Sequence, residues 1–308
     1  MKPTVLVTGA SGYLGSLLIK RLLEKKYPTY GISRKRSPSV TVERSHFQVL
    51  DLAHFKQCRQ TFLRWRPDIV IHTAGRVHIA LNKLDARETA LFHDNVQATF
   101  SLLNASVLSG VKLFVFLSTL GVYGNPQRRR VTEKHKLEPD SFYAATKLIG
   151  EKLLETYTHL SPMKGRVLRP MGFFGETRRI GLVYTWIQNA LKGRQIRVPR
   201  GVSLPWNTNC VNDVIDAILL VIKKGNLDSY SVYNIGYEEP IQLRKLASFI
   251  VNTTRSNSRI QLIKKGRDIP FAYDTTKARK ELGWKPKTIE ERLCEYIEVI
   301  KGNTRENR

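Results

Sequence analysis

The first half of the chain alternates short apolar runs with longer amphipathic patterns of helical period. The runs predict strands at 4–8, 29–33, 46–50, 69–73, 113–118 and 165–168, and the longer patterns predict helices at 13–26, 54–66, 85–109 and 142–160. Strands that are apolar throughout and separated by helices form a parallel sheet covered on both faces. We therefore predict an α/β fold with a Rossmann-type doubly wound parallel sheet.

Beyond residue 170 the pattern is looser. It predicts helices at 182–192, 211–224, 243–252, 275–282 and 288–301, with one more strand at 231–235. We expect the Rossmann-type domain to span 1–170, with 209–235 returning to it. A smaller C-terminal lobe is then expected from 171–208 and 236–308.

The chain is strongly basic, with 51 Lys and Arg against 26 Asp and Glu and a net charge of +25. The basic residues are spread over both halves rather than gathered in a tail or a single stripe. Such a surface favours anionic ligands, and we expect it to be solvated rather than dedicated to nucleic-acid binding.

The sequence contains three widely separated cysteines, Cys58, Cys210 and Cys294. Their spacing offers neither a disulfide framework nor a metal knuckle, so we predict no metal site. The apolar stretches are far shorter than the roughly 20 residues that a membrane span needs, and the N-terminus lacks a signal-peptide core. A reduced, soluble, cytoplasmic protein is expected.

Three glycines lie where the first strand meets the first helix. Gly9 permits a tight turn, Gly12 lets the backbone approach a pyrophosphate, and Gly15 lets the helix pack close to the sheet. The N-terminus of that helix then offers free N–H groups to phosphates. This junction predicts a dinucleotide site that includes Ser11, Tyr13 and Leu14.

The end of the second strand indicates which dinucleotide is used. An acidic residue there would accept a hydrogen bond from the 2′-hydroxyl of the adenosine ribose, but the chain has Ser33, Arg34, Lys35 and Arg36 instead. This segment suits a 2′-phosphate and favours NADP over NAD. A basic loop with no such role is the alternative, given the overall charge.

Asp51 and Leu52 follow the third strand. The carboxylate of Asp51 is a candidate to bind the adenine amino group. The alternative is that Asp51 caps the helix expected from residue 54.

Tyr143 and Lys147 begin a predicted helix and share one of its faces at i and i+4. An ammonium group, together with an oxidised nicotinamide, lowers the pKa of a phenol, and such a tyrosine can exchange a proton with a carbonyl or alcohol oxygen. Ser118 and Thr119 end a strand at the edge where ligands bind. Taken alone, the Tyr–Lys pair would be ordinary helix surface.

These motifs belong to a longer ordered series: TGASGYLG (8–15), DL (51–52), HTAG (72–75), NV (95–96), LSTLGVYG (117–124), YAATK (143–147), LRPMGFFG (168–175), VNDV (211–214), YNIG (233–236) and GWKP (283–286). In this series the chain resembles the extended short-chain dehydrogenase/reductases, specifically the NAD-dependent epimerase/dehydratase group that acts on nucleotide sugars.

The resemblance implies roles for individual residues. Thr119 matches the catalytic Ser/Thr, Tyr143 the acid/base, and Lys147 the residue that also holds the nicotinamide ribose. Further cofactor positions are Thr73, Ala74, Gly75 and Pro170. The helices at 85–109 and 142–160 match those that form a dimeric four-helix bundle in the family, so a homodimer is expected.

Departures from the family pattern bear on the reaction and the substrate. Leu120 and Gly121 stand where 4,6-dehydratases carry Asp-Glu, which argues against dehydration of that type. Gly172 and Trp206 replace an asparagine and an arginine that contact the substrate diphosphate. Arg178, Arg179, Arg197 and Arg200 are candidates to compensate. We assign Arg76, Thr119, Tyr143, Gly172 and Trp206 as substrate positions.

Three weaker candidates have ordinary structural interpretations. His72 and His78 are expected to be packed rather than catalytic. Asn95 either keeps an active-site water or bonds to the backbone. The arginines at 128–130 either reach an anionic substrate or are solvated, and we favour solvation.

The sequence thus predicts an NAD(P)-dependent oxidoreductase that transfers a hydride to or from a keto or hydroxyl carbon of a nucleotide sugar, of the 4-keto reductase type. A nucleotide-sugar 4-epimerase with tightly bound NAD is the alternative. A non-catalytic module that senses NADP or binds nucleic acid is a further alternative.

Overall fold

The computed structural model describes residues 1–77, 87–126, 130–200, 205–206, 208–224, 228–238, 241–264 and 272–306. The strands are β1 (Val5–Thr8), β2 (Thr29–Ser33), β3 (Phe47–Val49), β4 (Ile69–His72), β5 (Leu113–Leu117), β6 (Arg130–Val131), β7 (Lys164–Pro170), β8 (Phe173–Phe174), β9 (Ile196–Arg200), β10 (Pro205–Trp206), β11 (Asn209–Cys210), β12 (Tyr230–Ile235), β13 (Ile241–Gln242), β14 (Ile260–Lys264) and β15 (Ala272–Tyr273).

The α-helices are α1 (Tyr13–Glu24), α2 (Phe55–Trp65), α3 (Arg87–Leu91), α4 (Ala98–Ser109), α5 (Phe142–Leu160), α6 (Leu182–Leu191), α7 (Val211–Lys224), α8 (Leu243–Thr254) and α9 (Ile289–Glu306). Short 3₁₀ helices cover Arg44–His46 and Leu120–Tyr123, and π-helical turns cover Phe92–Gln97 and Ala278–Leu282. No helix within the described ranges combines the length and the apolar character needed to cross a membrane.

Seven strands form the central sheet in the order β12-β7-β5-β4-β1-β2-β3. The five pairs among β3, β2, β1, β4, β5 and β7 are all parallel. The chain builds outward from β1 to β3 and then returns to place β4 on the other side of β1. This reversal is the point at which open α/β sheets bind ligands at the carboxyl ends of their strands. The predicted doubly wound Rossmann-type sheet is confirmed.

The helix predicted over 85–109 is interrupted. Its described part consists of α3, the π-helical turn Phe92–Gln97 and α4. A π turn contains an extra residue, so it rotates the side chains that follow it relative to those that precede it. Hydrophobic periodicity near 3.6 cannot reveal such a turn, because it affects only a few residues.

The described chain divides into two compact units. The first contains residues 1–125, 135–170 and 218–233, and the second contains 126–134, 171–217 and 234–308. The segment 126–134 therefore belongs with the second unit, and the segment that returns to the first unit is 218–233.

Each unit has a buried apolar core. In the first unit the core includes Leu6, Val70 and Phe114 from strands β1, β4 and β5, together with Phe62 from α2. In the second unit Trp186, Ile187, Leu246, Leu293 and Tyr296 are buried together. Burial of this apolar surface is the main favourable term in the folding of each unit.

The second unit is also tied by a buried ion pair at the start of α7. Asp213 Oδ1 accepts hydrogen bonds from Arg292 Nε (3.0 Å) and Nη2 (2.6 Å), while Oδ2 accepts one from the Tyr237 hydroxyl at 2.9 Å. The indole N–H of Trp284 donates to the Asp213 carbonyl at 2.9 Å. These contacts give the VNDV and GWKP motifs a structural function.

Candidate active site and cofactor cavity

The first glycine turn brings three backbone segments into close contact. Gly9 has a φ of +68°, and a Cβ there would lie 2.8 Å from the Ala74 backbone. A Cβ on Gly15 would lie 2.2 Å from the Gly9 carbonyl oxygen. Larger residues at these two positions would force β1, α1 and the segment after β4 apart. Because these positions are glycines, no side chain fills the space at the N-terminus of α1.

A cavity of about 360 Å³ lies beside this turn. Its lining includes Gly9, Ser11, Gly12, Ser33, Arg34, Lys35, Leu50, Asp51, Leu52, Thr73, Ala74, Gly75, Asp94 and Ala98. Glycines, a helix N-terminus and cations fit the phosphates of a dinucleotide, and the apolar residues fit its adenine ring. The structure thus gathers most of the predicted cofactor positions around one space suited to that group.

The remaining predicted cofactor positions lie on the neighbouring elements. Tyr13, Leu14 and Gly15 form the first turn of α1, where Leu14 is buried. Pro170 is the last residue of β7, at the carboxyl edge of the sheet.

The basic segment after β2 divides into residues with different contacts. Arg34 and Lys35 line the cavity, whereas Arg36 donates to the Val42 carbonyl and lies 5.0 Å from the centre of the Phe47 ring. Arg34 Nη1 contacts both carboxylate oxygens of Asp94, at 3.0 and 2.9 Å. Arg34, the first residue of the predicted cationic cluster, therefore forms an ion pair with Asp94.

Asp51 lines the cavity but does not cap the following helix. Its Oδ1 accepts a hydrogen bond from the Ala53 N–H at 3.0 Å, and its carbonyl accepts one from His54 at 3.0 Å. Helix α2 begins at Phe55 with His54 as its N-cap. The alternative that Asp51 is the cap is wrong, because its side chain is used in a local turn ahead of the helix.

Lys147 is buried at the carboxyl end of β5. Its ammonium group donates to the Leu117 carbonyl at 2.9 Å and lies 4.9 Å from the centre of the Phe116 ring. A Cβ built on Gly75 would be 3.0 Å from Lys147 Nζ, so this ammonium group adjoins the cavity wall. Burial lowers the pKa of Lys147 to about 8, although the charge of Glu151 opposes the shift.

Tyr143 lies in the first turn of α5, which Ser141 caps by accepting from the Ala144 N–H at 3.3 Å. The side chain is half-buried. Burial raises the pKa of its phenol to about 12, whereas the sequence predicted a pKa lowered by Lys147 and an oxidised nicotinamide. The rise follows from desolvation, because burial disfavours the charged phenolate. The lowering of this pKa by Lys147 together with an oxidised nicotinamide stays a prediction.

Thr119 follows β5 and starts the 3₁₀ helix Leu120–Tyr123. Its Oγ1 accepts a hydrogen bond from the Gly121 N–H at 3.1 Å. A Cβ on Gly121 would be 3.4 Å from Thr119 Oγ1 and 3.5 Å from the Ala144 Cβ. The end of β5 and the first turn of α5 therefore meet at Gly121.

A buried polar cluster lies one helical turn after Lys147. Glu151 accepts two hydrogen bonds from Arg169, Nε to Oε1 at 3.0 Å and Nη2 to Oε2 at 2.6 Å, and a third from Ser118. Arg169 Nη1 also donates to the Tyr123 hydroxyl at 2.6 Å. This cluster joins α5, β7 and the end of β5 next to Lys147. Sequence reasoning missed it, although Glu151 continues the i, i+4 series of Tyr143 and Lys147.

His72 and Asn95 are both held by ordinary internal contacts. The ring of His72 is fully buried between the hydroxyls of Thr8 (2.7 Å) and Thr99 (3.0 Å), and burial lowers its pKa well below the usual value. Asn95 accepts from the Arg76 N–H at 2.7 Å and donates to the Arg76 carbonyl at 3.0 Å. These contacts are those of packed, backbone-bonded residues.

The predicted substrate positions occur in both units. Arg76 is exposed in the first unit, where its Nε donates to Asp94 at 2.7 Å. In the second unit the Gly172 carbonyl accepts from Asn209 at 2.8 Å, and Trp206 lies in β10, paired antiparallel with β13. His78, Arg128 and Arg129 lie outside the described residues.

Asp94 is the main cavity residue that sequence reasoning did not identify. It belongs to the π-helical turn after α3 and directly precedes Asn95 in the recognised NV motif. The NV motif indicated Asn95 but gave no signal for Asp94. Its partners Arg34 and Arg76 lie 60 and 18 residues away in sequence, so no local pattern connects them with Asp94. Leu50 and Ala98 also line the cavity, and the sequence analysis did not identify them as site residues.

Comparisons with known proteins show the family of this chain. Residues 5–236 match the model of the NAD dependent epimerase/dehydratase family. The chain is 26% identical to a UDP-glucose 4-epimerase of Mycolicibacterium smegmatis, covering 97% of this chain and 99% of that protein. It is 27% identical to a mouse (Mus musculus) dTDP-D-glucose 4,6-dehydratase, covering 97% and 89%.

Among solved structures, the chain is similar to a UDP-glucose 4-epimerase of Thermotoga maritima crystallised with UDP-glucose. The TM-score is 0.84 at 25% identity, covering 98% of this chain and 99% of that one. The fold, the ordered motifs and the family match lead to one conclusion: the chain belongs to the NAD-dependent epimerase/dehydratase family and is an enzyme of the extended short-chain dehydrogenase/reductase type.

Proposed function

We propose that the protein transfers a hydride to or from a hydroxyl or keto carbon of a nucleotide sugar, with Thr119, Tyr143 and Lys147 as its catalytic residues. The observation that carries the proposal is the position of Lys147. Its ammonium group adjoins Gly75 in the cofactor cavity, and Tyr143 precedes it by one turn on the same helix.

Each of these side chains has a defined task in this proposal. The dinucleotide supplies or accepts the hydride when it is bound. The Tyr143 phenol donates a proton to the substrate oxygen during reduction, and its phenolate accepts one during oxidation. The Thr119 hydroxyl orients that oxygen, and the Lys147 ammonium group places a positive charge near the phenolate that forms.

Two net reactions share this chemistry. A net 4-keto reductase is supported by Arg34 and Lys35 in the cavity wall, because a pocket for NADP(H) favours an exchangeable cofactor. A 4-epimerase, which oxidises and re-reduces the same carbon, is supported by the names of relatives that match nearly the whole chain. Leu120 and Gly121 offer no proton-transfer group at the positions that dehydratases use.

Two assays on the same preparation test the proposal. UDP-glucose is incubated without added cofactor, and its conversion to the 4-epimer is followed chromatographically. A 4-keto nucleotide sugar is incubated with NADPH or NADH, and the absorbance at 340 nm is followed. Epimer formation supports the epimerase, and stoichiometric loss of absorbance supports the reductase. If neither substrate turns over and no dinucleotide binds, the proposal is overturned.

We also propose a homodimer formed through α4 and α5. On α5, Phe142, Ile149 and Leu160 are 40%, 41% and 81% exposed, and together with Leu153 they are spaced along one side of the helix. On α4, Phe100 is 47% exposed and contacts Tyr157 of α5. Exposed apolar side chains gathered on two adjacent helices are typical of an association surface.

A further inference from the structure

The structure places one carboxylate between two cations at the wall of the cofactor cavity. Asp94 accepts from Arg34 Nη1 through both oxygens, at 3.0 and 2.9 Å, and from Arg76 Nε through Oδ2 at 2.7 Å. The Asp94 side chain is only 8% exposed, whereas Arg34 is 55% exposed. Asp94 is therefore fixed, and Arg34 is the partner with freedom to move.

The position of Asp94 does not depend on Arg34. The neighbouring Asn95 exchanges two hydrogen bonds with the Arg76 backbone, at 2.7 and 3.0 Å, which joins the π-helical turn to the segment after β4. His93 Nδ1 also contacts Asp94 Oδ1, at 3.1 Å. If Arg34 swings away, Asp94 retains Arg76 and His93 as partners. Release of Arg34 would therefore not leave a buried carboxylate unpaired.

Asp94 is charged in this setting. Burial opposes its ionisation, but hydrogen bonds from His93 and Arg76 and the charges of Arg34 and Arg76 outweigh burial, so its pKa lies below the usual value. A charged carboxylate and a phosphate compete for the same guanidinium donors.

We propose that Asp94 is a specificity-determining residue that competes with the 2′-phosphate of NADP(H) for Arg34. This inference rests on the proposed function, since it assumes that the cavity holds a dinucleotide. For a 2′-phosphate to pair with the Arg34 guanidinium, the ion pair between Arg34 and Asp94 must break. A 2′-hydroxyl can bind while that ion pair stays intact. Asp94 thereby reduces the preference for NADP(H) that the basic segment would otherwise give, and it keeps NAD(H) acceptable.

Dissociation constants for NADP⁺ and NAD⁺ test this proposal by isothermal titration calorimetry, without reference to turnover. In Asp94→Asn, the ratio of NADP⁺ to NAD⁺ affinity should rise about tenfold, the scale of one charge-assisted hydrogen bond. In Arg34→Ala the ratio should fall. The double variant Asp94→Asn/Arg34→Ala should have the same affinity ratio as Arg34→Ala alone. This result would show that Asp94→Asn acts by freeing Arg34 rather than Arg76.

Asp68→Asn is the matched control. It removes the same charge from a carboxylate that is paired with Lys112 at 2.8 Å, at the amino end of β4. Its affinity ratio should equal that of the wild type, and the thermal midpoint of each variant shows that it is folded.

The outcomes separate the two proposals. If both dinucleotides bind and Asp94→Asn leaves the ratio unchanged, or if the double variant keeps the gain, the role of Asp94 is refuted while the cofactor site stands. If the folded wild type binds neither dinucleotide, the proposed function is overturned and the role of Asp94 with it.

Discussion

Arg169 and Glu151 form a buried, two-point ion pair one helical turn after Lys147, with N–O distances of 3.0 and 2.6 Å. Both side chains are almost fully buried, at 3% and 2% exposure. The pair fixes α5 against β7 at the level of the proposed catalytic residue Lys147, and the Glu151 charge also favours the protonated form of Lys147. It therefore links the stability of the first unit to the geometry of the proposed site.

Removing the charge of Glu151 should destabilise the protein strongly. Glu151→Gln leaves the Arg169 guanidinium buried without its counter-charge, at a cost of about 3–5 kcal/mol in the free energy of unfolding. Urea denaturation measures this cost. Glu155→Gln, four residues later, weakens a surface pair with Lys152 and should cost less than about 1 kcal/mol. Equal losses in the two variants would contradict a structural role for the buried pair.

Tyr143→Phe should abolish most of the activity while leaving the cofactor site intact. Loss of the phenolic proton is expected to lower kcat by about 10²- to 10⁴-fold, because a positioned acid/base contributes on that scale. Dinucleotide affinity, measured by titration calorimetry, should change little. A variant with wild-type kcat would remove Tyr143 from the mechanism.

The lowered pKa of Lys147 predicts a specific dependence of stability on pH. Between about 8, its pKa in the folded protein, and its ordinary value of 10.5, the unfolded chain binds more protons than the folded chain at this residue. The contribution of Lys147 to the free energy of unfolding should therefore rise with pH across that interval and be constant below it. We expect this rise in the difference between wild-type and Lys147→Met denaturation curves measured from pH 7 to 10.5. A flat difference would show that Lys147 titrates normally.

The glycine turn should tolerate no side chain at position 15. In Gly15→Ala the new Cβ would meet the Gly9 carbonyl at 2.2 Å, so β1 and α1 must shift. We expect a loss of about 1–3 kcal/mol in the free energy of unfolding together with weaker dinucleotide binding. Gly302→Ala in α9 is the control, since its Cβ meets no atom within 4 Å and should stabilise that helix by about 0.5–1 kcal/mol. Calorimetric melting and binding titrations measure both effects.

A charge on the exposed face of α5 should prevent dimerisation. Ile149→Asp places a carboxylate within the proposed apolar contact and is expected to shift the protein to a monomer in sedimentation equilibrium. Ile180→Asp, at an exposed isoleucine outside α4 and α5, should leave the dimer unchanged. A wild-type protein that sediments as a monomer would contradict the proposed interface.

The sequence alone was enough to predict the doubly wound sheet and the glycine turn. These features depend on short-range patterns: apolar runs bounded by helices, and glycines at fixed offsets where β1 meets α1. The ordered motifs likewise sufficed to recognise the family, because they occur at characteristic places along nearly the whole chain. The interrupted helix at 85–109 escaped prediction, since a π turn leaves the surrounding periodicity almost unchanged.

Only the tertiary structure decided what surrounds each functional side chain. Arg34 and Asp94 are 60 residues apart in sequence, yet they form an ion pair at the cavity. The charge of the basic segment alone therefore does not determine the preference for NADP over NAD. The pKa values of Tyr143 and Lys147 move in opposite directions because each follows from burial, which depends on distant segments packed over the helix. Sequence patterns record neighbours a few residues away, whereas solvation and charge pairing depend on neighbours in space.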